Sequence, residues 1–321
     1  MGAHVARALV ASLACAAAAA SCNLLTGASD LHVVKGAGGA GAGTTHAATG
    51  AGGGGGAQAG GGGGSGPGPW PTCASKPAGA KRATIPDVWA DDPKTPKPYW
   101  LPGVYVTAIA GDGCVADRGC TIFVQQDPTY ATILDAAKHG LKVYATPSAS
   151  KHFTSIAVGD RVDVFGDATR VVDALQNELL IEANMEHPGC MKRVGTGSLT
   201  PVEGATFADL TVQAYEQDVG PVLVHVTNAA MSVHGYPRIP TQGFHIYDGT
   251  IAGDAGVTEM TLSPLFSAGK AFAGLPTDGM TLVKFTNGVT GVFGLYLQRT
   301  PPLKYPMIFV RSDADYTPHA P

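Results

Sequence analysis

The sequence predicts an all-β fold with short helices, arranged as two related units that follow a disordered Gly-rich linker. Three observations lead to this prediction. Apolar and polar residues alternate over short runs bounded by turn residues, which is typical of strands with one buried face. A similar order of such runs recurs in the two halves of the body. A tract dominated by Gly and Ala, without apolar periodicity, precedes both halves.

The first 21 residues have the layout of an export signal. Arg7 is followed by an uncharged run of 13 small or apolar residues, Ala8 to Ala20. A helix needs about 20 apolar residues to cross a bilayer, so this run is too short to span one, but it matches the core of a signal peptide. Residues 1–21 are therefore predicted to be a signal peptide.

Cys22 directly follows Ala19, Ala20 and Ser21. This segment resembles the lipobox of bacterial lipoproteins, although Ala19 stands where that motif usually has Leu. The resemblance implies that Cys22 carries a lipid, becomes the mature N-terminus and anchors the protein in the cell envelope, at the outer membrane or cell surface. The alternative is an ordinary secretory signal cut near Ser21, with Cys22 as an unmodified thiol.

Residues 22–69 are predicted to be a flexible tether. The part from Gly36 to Pro69 contains 18 of the 44 glycines of the chain and almost no charge. Such a composition cannot bury enough apolar surface to offset the entropy lost on ordering. The average end-to-end distance of a Gly-rich chain of this length is roughly 30–35 Å, which suits a flexible tether between a membrane and a folded domain. Residues 70–98, rich in Pro, are predicted to be a semi-rigid lead-in.

The first β unit is predicted over residues 99–197. A helical segment is expected from Tyr130 to Gly140, with Ile133, Leu134 and Ala137 on one side and Gly140 at its end. Alternation and flanking turn residues predict four strands in this unit: Val104–Ile109, Thr121–Gln125, Val158–Gly166 and Leu179–Ala183.

The second β unit is predicted over residues 198–321, and it repeats the order of the first. A helical segment is expected from Leu262 to Gly274. The four predicted strands are Val222–Thr227, Gly243–Asp248, Asp278–Phe285 and Met307–Arg311. Corresponding strands are similarly spaced in the two units, which favours a repeat over a chance similarity.

Four cysteines follow Cys22, and an even number in an exported domain favours disulfides over a metal site. Four cysteines allow three pairings. Cys114 with Cys120 is preferred because both lie in one Gly-rich turn, which leaves Cys73 to pair with Cys190. A four-cysteine zinc site is the alternative, but the Cys-x-x-Cys spacing typical of such sites is absent.

Charge counts against nucleic acid as the main ligand. Residues 70–197 hold 13 Lys and Arg against 14 Asp and Glu, and residues 198–321 hold 6 against 10. Neither half has the basic excess that drives binding to a phosphate backbone. A local basic patch in the first unit stays open as an alternative, with these candidates: Lys138, Lys142, Lys151, Arg161 and Arg170.

Three segments of the first unit are similar to a known family. Val104–Thr107, Ile122–Gln126 and the run Val-Gly-Asp-Arg-Val-Asp-Val-Phe-Gly at residues 158–166 resemble the OB-fold domains attached to bacterial extracellular nucleases. The second unit departs from this pattern at Thr277–Thr281, which has no Arg. The resemblance implies two tandem OB-fold-like barrels. It does not bring catalysis, because the nuclease chemistry lies in the attached domain.

Alternation along the first two strands of each unit predicts which side chains face outward. Aromatic rings on such a surface can stack bases or sugars, and a pair of histidines can bind a metal if His234 comes near. The alternative is that these side chains pack against a loop, a helix or the other unit. The candidate binding surface consists of Tyr105, Phe123 and Gln125 in the first unit and His225, His245 and Tyr247 in the second.

The sequence holds no Gly-x-Ser-x-Gly and no His-Glu-x-x-His motif. We therefore expect a membrane-anchored envelope lipoprotein that acts as a non-catalytic binding or scaffolding module, without cofactor or metal. Its expected partners are the membrane, through the lipid, and an envelope protein or polymer. One alternative is an extracellular nucleic-acid-binding module, and another is a hydrolase with a site assembled between the two units.

Overall fold

The computed structural model describes residues 79–110, 114, 119–150, 153, 155–172, 177–183, 189–227, 229–231, 244–248, 259–263, 283–298 and 303–319. This part of the chain is mostly β, with two short helices and two sheets, as the sequence predicted at this level. The predicted signal peptide and tether, residues 1–69, lie outside it. None of the helices within it is both long and apolar enough to cross a membrane.

The first sheet is ring-like. Its order is β1-β2-β3-β4-β6-β5-β7, and an additional pairing of β2 with β5 closes a ring of five strands from β2 to β6. Within the ring β4 and β6 are parallel, and the other pairs are antiparallel. The strands are β1 (Lys81–Arg82), β2 (Lys97–Ile109), β3 (Cys120–Gln125), β4 (Gly140–Ala145), β5 (Asp160–Val172), β6 (Asn177–Ala183) and β7 (Cys190–Thr196).

Helix α1 (Ile85–Asp91) lies in the segment expected to be a Pro-rich lead-in, where no helix was predicted. The side chain of Thr84 accepts from the backbone N–H of Asp87, and the Asp87 carboxylate accepts from that of Thr84. This reciprocal capping box satisfies two backbone donors at the start of the helix. The helix buries Val88 and Trp89 against the ring.

The prediction of a helix from Tyr130 to Gly140 is wrong. Residues 131–138 form turns, and β4 begins at Gly140. The predicted apolar side does not form, because Leu134 is 82 % exposed while Ala136 is fully buried. The short helix α2 (Pro147–Ser150) comes later, between β4 and β5.

The second sheet follows the same pairing order. In this sheet the strands are paired in the order β10-β11-β12-β14-β13. β10 also pairs with β13, and β12 and β14 form the parallel pair. The strands are β8 (Val202–Ala205), β9 (Leu223–Val226), β10 (Ala229–Met231), β11 (Phe244–Asp248), β12 (Glu259–Ser263), β13 (Val283–Gln298), β14 (Leu303–Phe309) and β15 (Tyr316–His319). The start of the predicted helix Leu262–Gly274 is the end of β12, and residues 264–274 lie outside the described residues.

Each unit has its own apolar core, and a third cluster joins the two units. The first core lies inside the first ring and includes Leu101, Ile122 and Val164. The second core also takes up Tyr130 and Ala136, which belong to the turns between β3 and β4 of the first unit. The third cluster combines side chains from both units: Ala108, Phe123, Leu223, Val292, Met307 and Phe309. The two units are therefore packed directly against one another.

Candidate binding surfaces

The outer surface of β3, called the covered face below, carries Thr121, Phe123 and Gln125. Every residue of β3 is buried, so both faces of this strand are shielded from solvent. Phe123 is 3 % exposed, and its ring centroid lies 5.8 Å from that of Phe309 in the second unit. The second unit thus covers this side of the first ring.

Gln125 supports the same contact with its side-chain amide. It is 1 % exposed, its Oε1 accepts from the backbone N–H of Leu223 at 3.3 Å, and its Nε2 donates to the carbonyl of Asp127 at 2.7 Å. Both ends of the amide are therefore used inside the protein, as a buried amide requires. The expectation that Phe123 and Gln125 form an outward binding surface is wrong, because the second unit packs on them.

A buried polar group lies next to this apolar contact. The Glu178 carboxylate of the first unit accepts from the Tyr215 hydroxyl of the second unit and, at 2.9 Å, from Lys142. Tyr215 is the second residue of the π-helical turn Ala214–Asp218. Burial, and then the nearby Glu178 carboxylate, raise the pKa of Tyr215 well above its ordinary value, so its hydroxyl stays protonated and donates.

On the opposite side of the ring, the outer surface of β1, β2, β5 and β7 keeps several side chains partly or fully exposed. We call it the open face. Trp100, Tyr105 and Phe165 on this face are half-buried, although their neighbours Leu101 and Val164 are fully buried. The open face carries Arg82, Trp100, Tyr105, Arg161, Asp163, Phe165 and Lys192. The buried Cys190 is opposite Phe165 on β7 and lies at the edge of this face.

Tyr105, the remaining candidate of the first unit, lies under Arg161. The guanidinium carbon is 5.9 Å from the ring centroid, and its Nε donates to the carbonyl of Gly103 at 3.2 Å. A side chain at Gly103 would meet this guanidinium, since a Cβ there would lie 2.7 Å from Arg161 Nη2. Gly103 also has φ of +70°, a conformation that favours glycine whatever Arg161 does.

The structure gives the Val-Gly-Asp-Arg run a structural role. Gly159 has φ of +86°, a conformation that favours glycine. Asp160 is 4 % exposed, and its carboxylate accepts from the backbone N–H of Ala157 at 2.9 Å and pairs with Arg193 at 2.8 Å. This run therefore forms the turn that precedes β5 and places the Arg161 side chain over β2.

In the second unit, His225 is placed by its strand neighbours. Its Nδ1 is 2.9 Å from the hydroxyl of Thr290, and its Nε2 is 3.9 Å from a carboxylate oxygen of Glu203. His245 and Tyr247 lie at alternate positions of β11, opposite Thr261 and Glu259 of β12. Directly opposite residues of an antiparallel pair share a face, so these four positions lie on one face of the β11–β12 pair.

The strand registers do not bring His225 and His245 together. His225 is opposite Thr290, in the middle of β13. His245 lies on β11, which pairs with β10, and β10 pairs with Val283 and Lys284 at the start of β13. His234 lies outside the described residues. Among those that are described, no group of three His, Cys, Asp or Glu side chains could hold a metal ion.

The predicted disulfide between Cys114 and Cys120 is present, and it joins residues six positions apart. Cys190 is also disulfide-bonded. Its predicted partner Cys73 lies outside the described residues, as does the predicted lipidation site Cys22.

The candidate surface predicted from the sequence did not include Trp100, Phe165 or Arg82. Trp100 closely follows the predicted lead-in, and Phe165 is one of several alternating residues in a predicted strand. Trp100 and Phe165 are directly opposite in the β2–β5 register. A signal for Trp100 was present, because it stands between Tyr99 and Leu101 in an alternating run.

With this geometry in hand, comparison with known proteins adds no assignment: a scan against protein-family models found no match, and a search of curated proteins found no significant relative.

Proposed function

We propose that this protein is an envelope lipoprotein that acts as a non-catalytic binding module, built from two tandem OB-fold-like units. The observation that carries the binding role is the open face, where three aromatic side chains stay half-exposed on one wall of an otherwise well-buried ring. Aromatic residues dominate the energetics of binding interfaces, and a binding role gives these exposed rings a use.

The OB-like assignment is supported by the order of strand pairing. An OB-fold is a five-stranded, partly open barrel. In the first unit the ring joins its first strand to the second and fourth, and its third strand runs parallel to the fifth. The short helix α2 lies between the third and fourth strands of the ring, and the same pairing order recurs in the second unit.

The fixed contact between the units favours a scaffold over two independent modules. The third apolar cluster, the Gln125 amide and the Glu178–Tyr215 hydrogen bond all cross between the units. Such a body presents the open face in a constant direction relative to the rest of the protein. Combined with the predicted tether and lipid, it would hold that face away from the membrane surface.

Metabolic labelling with a palmitate analogue tests the anchoring part of this proposal. We expect label on the wild-type protein and on a Cys15→Ser variant, and no label on a Cys22→Ser variant. The Cys15 variant is a matched control because that cysteine lies within the predicted signal peptide. Label that survives Cys22→Ser, or an unlabelled mature protein, would contradict anchoring through Cys22.

Site-specific photo-crosslinking in intact cells tests the binding part. A photoreactive amino acid at position 165, on the open face, should join the protein to one envelope component. The same group at Leu134, which is 82 % exposed on the turns between β3 and β4, serves as the control for general proximity. Equal crosslinking from both positions would remove the special role of the open face.

A further inference from the structure

The open face arranges its charged and aromatic side chains in rows across the strands. Arg82 is opposite Trp100, and Trp100 is opposite Phe165, so one row crosses β1, β2 and β5. The guanidinium carbon of Arg82 is 6.0 Å from the Trp100 ring centroid. Tyr105 and Arg161 are opposite each other and form a second row. The face therefore holds two cation–aromatic pairs.

The two rows are separated by a row of mixed charge. Phe165 and Arg161 are four residues apart on β5, which corresponds to about 13 Å along a strand. Between them Asp163 is opposite Lys192 of β7. The Asp163 carboxylate accepts from the backbone N–H of Gly103 at 2.9 Å through Oδ1. A chain laid along the strands would thus meet a cation beside an aromatic ring, then Lys192, then a second such pair.

The cations of this face are available to an anionic ligand. Arg82, Arg161 and Lys192 are all exposed. Within the described part of the chain, neither Arg82 nor Lys192 forms an ion pair. Asp163 is the carboxylate in the middle of the face, so cations outnumber carboxylates there, although the whole chain has a net charge of −4. The local charge complements an anionic partner.

We propose that the open face binds an acidic polysaccharide that carries uronic-acid carboxylates; this inference rests on the binding role proposed above. Flat aromatic rings offer stacking area for the apolar faces of sugar rings, and Arg and Lys pair with carboxylates through charge-assisted hydrogen bonds. Asp163 fits a sugar ligand, because a carboxylate accepts hydrogen bonds from hydroxyl groups. The negative charge of Asp163 would repel the phosphates of a nucleic acid.

The density of charge also favours a polysaccharide over nucleic acid. Duplex DNA carries one negative charge per about 1.7 Å of its axis, which calls for a dense basic surface. Three exposed cations spread over about 13 Å of strand, with a carboxylate among them, match a polymer in which sugar rings separate the carboxylates.

Binding to polygalacturonate tests this inference directly. The purified Cys22→Ser chain should bind polygalacturonate in isothermal titration calorimetry and bind methyl-esterified polygalacturonate at least tenfold more weakly. Binding should weaken as salt is raised, because exposed charges are screened. Arg82→Glu and Lys192→Glu should each weaken it about tenfold, since a charge-assisted hydrogen bond is replaced by repulsion.

Lys138→Glu is the matched control, because Lys138 is exposed on the turns between β3 and β4, away from the open face, and the change in charge is the same. Polygalacturonate binding by this variant should equal that of the parent chain. Trp100→Phe keeps a ring at the site and should bind more tightly than Trp100→Leu, with both variants checked for an unchanged circular dichroism spectrum.

Three outcomes would overturn the inference: no binding of polygalacturonate, equal losses for Lys138→Glu and Arg82→Glu, or tighter binding of a 20-nucleotide single-stranded DNA. The last outcome would assign the face to nucleic acid. The proposed binding role fails separately, when crosslinking from position 165 in cells gives no envelope component. A protein that crosslinks there but ignores polygalacturonate would lose this inference alone.

Discussion

The two outer faces of the first unit differ in what lies on them. On β3, the covered face of Thr121, Phe123 and Gln125 is fully buried beneath the second unit. On β2 and β5, the open face keeps its aromatic rings half-exposed and its arginines in solvent. Both faces belong to the same ring and have the same alternation of inward and outward residues, so secondary structure does not explain the difference.

The difference follows from the cost of removing charge from water. The covered face has no charged side chain, and its one amide finds partners at Leu223 and Asp127. Covering the open face would require desolvating Arg82, Arg161 and Lys192, which is costly unless each charge is paired. The second unit therefore covers the wall of the ring whose charged groups, Lys142 and Glu178, are paired with one another, and it leaves the wall with exposed cations for other contacts.

The largest effect should come from removing the aromatic ring at the centre of the covered face. Phe123→Ala should lower the free energy of unfolding by about 3–5 kcal/mol, because a buried ring is lost and a cavity remains. Phe165→Ala, the same change on the open face, should cost less than about 1.5 kcal/mol. Urea denaturation followed by tryptophan fluorescence measures both. Similar losses for the two variants would mean that the faces do not differ in burial.

A methyl group between the units should have the next largest effect. A Cβ at Gly140 would lie 1.9 Å from the carbonyl oxygen of Pro221 in the second unit, so the backbones must separate. We expect Gly140→Ala to cost about 1–3 kcal/mol in urea denaturation. Gly195→Ala on β7, where the Cβ would meet an Arg161 atom at 3.9 Å, should change stability by less than about 0.5 kcal/mol.

Removal of the Tyr215 hydroxyl tests the polar contact between the units. Tyr215→Phe should lower the free energy of unfolding by about 1–2 kcal/mol, because the Glu178 carboxylate loses a donor in a buried setting. Tyr105→Phe on the open face removes a hydroxyl that donates to no residue in the described part of the chain. It should leave the unfolding midpoint unchanged, and a matching loss would contradict the contrast between the two faces.

The smallest effect concerns the acid side of the stability profile, near the open face. Hydrogen bonds from Tyr99 and then from Lys81 lower the pKa of Asp91 from 3.8 to about 2. A carboxyl with a lower pKa in the folded state stabilises the protein above its unfolded pKa, and this contribution is lost as the pH falls from about 4 towards 2. Tyr99→Phe should raise the pKa of Asp91, as measured by carbon-13 NMR titration.

Lys97→Ala provides the comparison for that titration. Lys97 Nζ is 3.9 Å from the Asp91 carboxylate, and it contributes least to the lowered pKa. The Asp91 titration should therefore move much less in this variant than in Tyr99→Phe. The opposite ranking would show that long-range charge, not the Tyr99 hydroxyl, controls Asp91.

Local patterns predicted much of the strand content. Alternation located parts of β2, β3, β5 and β6 in the first unit, and of β9, β11 and β14 in the second. The same reasoning failed at residues 130–140, because three apolar residues at helical spacing carry little weight when tertiary packing buries Ala136 instead. The helix α1 was missed although Thr84 and Asp87 form a capping pattern, since the surrounding prolines were read as a lead-in.

The β character and the Cys114–Cys120 bridge could be predicted from the sequence, because each depends on residues close together in the chain. Which outer positions stay exposed depends on the tertiary structure. Phe123 and Gln125 became an internal contact, whereas Trp100 and Phe165 became a surface. The physical reason is that burial depends on which wall of the ring the second unit can cover without desolvating unpaired charge, and alternation within one strand carries no information about that neighbour.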